Sequence, residues 1–138
     1  ATTPVRPQGC LDAAVRLLLE HTDADCARSV VEAGQTPYKM WRIDPATGRM
    51  VPLLSVEGNP EPYNTPRQSL PAVYWQTGHV NAIRPQTIQV GSMTGKAILP
   101  VLIDLRYLVD IDTPADWDHA EWLVTRGVPG MVLPKEEK

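Results

Sequence analysis

Residues 109–124 read VDIDTPADWDHAEWLV, a segment that predicts a strand carrying two carboxylates and turning at once into a helix. Asp110 and Asp112 stand two apart, so on an extended backbone both leave one face while Val109 and Ile111 leave the other. Thr113 is a good N-cap, Pro114 suits the first helical position, and Asp116 falls three residues beyond the cap, a variant of the capping box. Trp117, Ala120 and Val124 then recur at helical spacing as an apolar stripe. Carboxylates at the C-terminal end of a strand lie where an open α/β sheet places a ligand site, and hard oxygen donors there suit Mg²⁺. The plainer reading makes Asp112 part of the helix cap and leaves Asp110 solvated.

Upstream, residues 9–21 (GCLDAAVRLLLEH) predict an amphipathic helix with Leu11, Val15, Leu18 and Leu19 on one side. Residues 26–31 (CARSVV) follow as a short buried strand, and a helix leading into such a strand implies a right-handed crossover onto a mostly parallel sheet. From Gln35 the character changes. YKMWRI and RMVPLL flank DPATG, whose turn chemistry predicts a hairpin rather than a crossover. Residues 55–66 (SVEGNPEPYNTP) hold three prolines and no periodicity, as befits an irregular functional loop. Residues 67–83 (RQSLPAVYWQTGHVNAI) open on Arg67 and Gln68 and run into a strand around Gly78. A guanidinium beside an amide at the end of a long loop suits a phosphate or carboxylate, although such pairs are more often solvated. Residues 85–90 predict a short helix, and residues 97–103 a strand in which Pro100 argues for an edge or a bend.

The chain has 138 residues, one domain's worth, and a formal net charge of −3 with 13 scattered basic side chains. No basic stripe marks a nucleic-acid face, so DNA and RNA are not expected as partners. No apolar run approaches the roughly 20 residues that span a bilayer, and the first residues lack a signal pattern; a cytoplasmic protein is expected. Cys10 and Cys26 show no metal or redox spacing and are expected as buried thiols. His21, His79 and His119 show no metal-ligand spacing either. Fourteen prolines, about twice the usual share of roughly 5%, predict a loop-rich middle. The tail, residues 135–138, is charged and expected to fray.

Four segments in order, TTPVRP before a helix, TPYK before a hairpin, RQSLPAVYWQTG, and VDIDTPADWDHAEWL, together resemble the cytidylyltransferases that activate acidic sugars, the CMP-sialic acid and CMP-Kdo synthetase group. The resemblance implies an α/β fold: a partial mononucleotide-binding (Rossmann-like) sheet from residues 1–34 and 85–138, with a β-rich dimerisation arm at residues 35–84. It implies transfer of CMP from CTP to a sialic-acid-like sugar with release of pyrophosphate. Asp110 and Asp112 would hold Mg²⁺, Arg67 and Lys39 would act at the reacting groups, and Gln68, Thr3, Arg6 and Thr77 would border the substrates. A homodimer is implied as well. The family's glycine-rich, basic phosphate loop has no counterpart here, so the chain is expected to be the C-terminal portion of such an enzyme, inactive by itself. The alternative is a non-catalytic homodimeric interaction module derived from that fold.

Overall fold

The structure, a computed structural model, describes residues 2–132. In chain order the regular elements are α1 (Cys10–Glu20), β1 (Cys26–Glu32), β2 (Trp41–Ile43), β3 (Met50–Pro52), β4 (Tyr74–Ile83), α2 (Pro85–Gln89), β5 (Ile98–Leu102) and α3 (Pro114–Arg126). Single 3₁₀ turns lie at Pro37–Lys39, Pro62–Asn64, Arg67–Ser69 and Leu105–Tyr107. The chain divides into two compact units, Ala1–Val31 with Gln76–Lys138, and Glu32–Trp75. The tail expected to fray lies outside the described residues.

The first unit is built on a mixed three-stranded sheet in the order β4-β1-β5. β5 runs parallel to β1, with Cys26 opposite Ile98 and Val30 opposite Leu102, as a crossover from one to the other requires. β5 is an edge strand with Pro100 at its centre, as the proline predicted. α1 packs on this sheet, and Cys10, Ala14 and Leu18 join Ala27, Val80, Val101 and Ile103 in the main core. This corrects the helix stripe expected from sequence. Leu11, Val15 and Leu19 are exposed, Leu19 to 72%. Cys10 and Ala14 are small, and Ala13 beside them packs against the same core, so that face admits a close approach to the sheet.

α1 starts at Gly9, which takes φ 75, and ends at His21 without a glycine cap or a basic residue in its last turn. Its terminal carbonyls are satisfied from a distance in sequence. The Arg84 guanidinium donates to the carbonyls of Leu18, His21 (3.0 Å) and Ala24 (2.7 Å), tying the end of the helix to the end of β4. A second cluster of Val5, Val109 and Ala120 fixes α3 and the N-terminal segment, with Ile111, Leu123 and Met131 around it. α3 begins as its sequence predicted. The Thr113 hydroxyl accepts from the Asp116 N–H while the Asp116 carboxylate accepts from the Thr113 N–H, a complete capping box. Of the expected stripe only Ala120 is buried; Trp117 and Val124 face solvent.

The second unit carries the antiparallel β2–β3 hairpin, which pairs Trp41 with Pro52 and Ile43 with Met50. The Asp44 carboxylate organises its turn by accepting from the Ala46 N–H and the Thr47 hydroxyl. Those two bonds, the Thr47 hydroxyl foremost, hold the Asp44 carboxyl below its ordinary range. Residues 55–66 are irregular as expected, fastened by the Asn59 amide, which donates to the Thr65 hydroxyl at 2.8 Å.

Candidate functional site

The segment that delivers Asp110 and Asp112 is not a strand, contrary to expectation. Its alternation survives: Val109 is buried and Ile111 half-buried, while both carboxylates are exposed. The backbone is tied to the N-terminal segment where the Ile111 N–H donates to the Thr2 carbonyl at 2.8 Å. Among the described residues neither Asp110 nor Asp112 has a side-chain hydrogen bond or ion pair, and Asp116, not Asp112, supplies the carboxylate of the cap. The Thr113 hydroxyl and N–H accordingly hold the Asp116 carboxyl below the ordinary range.

The Thr2 contact begins a convergence of three distant segments. Thr3, buried, lies against Gly78, where a Cβ would meet its Cγ2 at 3.1 Å and push it back by a few tenths of an ångström. One position on, His79 is 2% exposed. Its Nε2 is 3.1 Å from the carbonyls of both Val5 and Tyr107, and its Nδ1 is 2.9 Å from the Thr77 hydroxyl. Carbonyls only accept, so Nε2 carries the proton. On its other side the ring meets the Thr77 hydroxyl at Nδ1, the Thr77 hydroxyl donates to Ser29 (2.8 Å), and Ser29 accepts from the Val80 N–H (3.0 Å). Each polar side-chain atom in this His79–Thr77–Ser29 cluster has a hydrogen-bond partner. The ring thereby binds the TTPVRP segment to the turn that precedes Asp110.

Of the residues singled out from sequence, this unit holds Thr3, Arg6, Thr77, Asp110 and Asp112. Thr77 is buried and its hydroxyl is spent inside the chain just described. Arg6 is half-buried, and its carbonyl accepts from the Val132 N–H at 2.8 Å. Ser29 and the structural role of His79 were missed by the sequence reading; a Ser within an apolar strand was the available signal.

The other unit holds Lys39, Arg67 and Gln68. Arg67 and Gln68 line one cavity of about 330 Å³ together with Glu32, Thr36 and Leu70. The Arg67 guanidinium donates to the carbonyls of Gly34 (2.9 Å) and Ala33 (2.8 Å) and pairs with Glu32 at 3.2 Å. It is therefore held in place by main chain, with both partners of the ion pair open to solvent. Thr36 shares the wall, and among the described residues its buried hydroxyl has no partner. Lys39 lies at the end of the Pro37–Lys39 turn, exposed, and does not line this cavity.

No protein-family model matches this chain, and no curated protein matches it. Cys10 and Cys26 are both buried free thiols, and burial pushes the Cys26 thiol up, away from the reactive thiolate. Among the described residues no three His, Cys, Asp or Glu side chains gather as a metal site, and no helix is long and apolar enough to cross a membrane.

Proposed function

We propose that this chain is part of a cytidylyltransferase of the CMP-sugar synthetase type, which uses CTP to activate a sialic-acid-like acidic sugar and releases pyrophosphate. The observation that carries the reading is the convergence of residues 2–6, 77–79 and 107–112 through Thr2, Gly78 and His79. Three of the four segments that resemble this family meet in one place, with Asp110 and Asp112 exposed beside them.

Two carboxylates without protein partners among the described residues fit Mg²⁺, which commonly takes one or two carboxylates and fills its remaining positions with water and phosphate oxygens. Bound there, the ion would neutralise charge on the triphosphate. Thr3 and Arg6 border the nucleotide in this reading, and Thr77 holds β4 in place rather than offering its hydroxyl to the sugar. The Arg67–Gln68 cavity receives the anionic group of a substrate, and Lys39, outside that cavity, is a separate exposed cation in this reading. In this reading the sheet is the partial Rossmann-like core.

Titration calorimetry of CTP with Mg²⁺ tests the proposal. Saturable, Mg²⁺-dependent binding is expected, weakened about tenfold or more in Asp110→Asn and Asp112→Asn, the loss of a 1.4 kcal/mol contact or larger. Absence of binding to folded protein, or equal binding by both variants, overturns it.

A second reading, a homodimeric interaction module without catalysis, is favoured by the hairpin. Isolated two-stranded hairpins are marginal in water, yet Ile43 (72% exposed), Met50 and Val51 face solvent. It predicts a dimer that ignores CTP and dissociates in Ile43→Glu, read by sedimentation equilibrium.

A further inference from the structure

The groove between the Leu105–Tyr107 turn and the second half of α3 presents a cation that, among the described residues, no carboxylate pairs with. It has a volume of about 620 Å³ and an apolar floor of Leu105, Leu108, Leu123 and Val128. On its wall the Arg126 guanidinium lies over the Trp122 ring, 4.6 Å from the centroid. Stacking on an aromatic face engages the guanidinium's π surface and leaves its in-plane N–H donors free. Among the described residues Arg126 has neither a side-chain hydrogen bond nor an ion pair. The one carboxylate lining the groove, Asp104, is occupied by Arg106 at 2.8 Å. The acidic side chains of α3, Asp116, Asp118 and Glu121, do not line it.

We infer that this groove binds a small amphipathic carboxylic acid, with its apolar body on the leucine floor and its carboxylate on the Arg126 fork. The chemistry on each side sets the class. One guanidinium without a carboxylate partner among the described residues matches one planar anion, and apart from His119 and the Asp104–Arg106 pair the lining side chains offer apolar contact. Trp122, 51% exposed, gives an aromatic or aliphatic body a second wall. The site belongs wholly to the first unit and is independent of the nucleotidyl-transfer reading.

The test is a nitrogen-15 NMR titration of the whole chain with indole-3-propionate and, separately, with its uncharged amide. The acid is expected to shift the Trp122 indole N–H and the Arg126 Nε–H saturably, and to bind about tenfold more tightly than the amide. Arg126→Gln is expected to remove that preference with an unchanged far-ultraviolet circular dichroism spectrum. High salt applied to the unaltered protein, which needs no variant to fold, is expected to shrink the preference as well. Unsaturable shifts, equal binding of acid and amide, or a preference that survives Arg126→Gln would each overturn the inference.

Discussion

The main chain at Gly95 passes so close to Asp25 that a Cβ on Gly95 would overlap the Asp25 side chain, and Gly95 holds φ +74. The Asp25 carboxylate meanwhile accepts from the N–H groups of Lys96 (2.7 Å) and Ala97 (2.9 Å). The turn before β5 is thus fastened to the start of β1 by one aspartate. Gly95→Ala combines a left-handed backbone with a clash and should cost about 2 kcal/mol or more. Gly48→Ala, at φ +67 but in open space, bears the backbone cost alone and should lose about 1 kcal/mol. Urea midpoints at constant m-value separate the two.

Asp25 also sets an acid limit. The Ala97 N–H, then that of Lys96, holds its carboxyl below the ordinary value of 3.8. A folded-state pKa below the unfolded one contributes stability that is complete above the unfolded value and is lost as pH falls through the folded value. Asp44, Asp104 and Asp116 shift in the same direction. Stability should therefore be level near neutrality and fall as pH drops below 3.8, and Asp25→Asn should flatten that fall. Thermal melts across an acid pH series give the slope; an unchanged slope in the variant removes Asp25 from the account.

His79→Leu should destabilise the protein by about 2–4 kcal/mol, because it strands two carbonyls and the Thr77 hydroxyl in the core. Amide exchange offers a local reading. The Ile111 N–H, bonded to Thr2, should lose protection before the amides of β1 if the imidazole is what holds the N-terminal segment to the 105–107 turn.

Arg84→Met removes the donors for three carbonyls around the end of α1 and should cost about 2 kcal/mol, read as a lower melting temperature. Arg84→Lys should recover only part of it, since an ammonium cannot copy a planar fork that reaches three acceptors. Full recovery would reduce the interaction to simple charge.

What was legible in the chain was local. The Thr113–Pro114–Asp116 cap, the DPATG hairpin and the Pro100 edge each depend on residues within a few positions of one another, and each formed as expected. What was not legible depended on a distant partner. Whether residues 109–112 become a strand turns on a neighbouring edge with donors and acceptors in register, and here the ladder reduces to one bond to Thr2. The face that α1 buries was misread because its periodicity marks two adjacent apolar stripes, and the sheet accepted the one that runs through Cys10, Ala14 and Leu18. The same limit hid the Ser29–Thr77–His79 chain, which joins residues 50 positions apart. At the Arg67–Gln68 pair, sequence identified the polar groups but not the main-chain carbonyls that hold the guanidinium.

Pro100 has a consequence for how the molecule behaves in a crowd. The Ile103 N–H donates inward to the Val30 carbonyl, so alternation along β5 turns the main-chain nitrogens of residues 98, 100 and 102 outward. The middle one of those three is the proline's. A stray strand adding to this border would find an apolar surface in Ile98 and Leu102, but a gap at the centre of its row of donors. The imino ring thus acts as a gatekeeper against fibrous stacking, guarding an open border with one missing hydrogen.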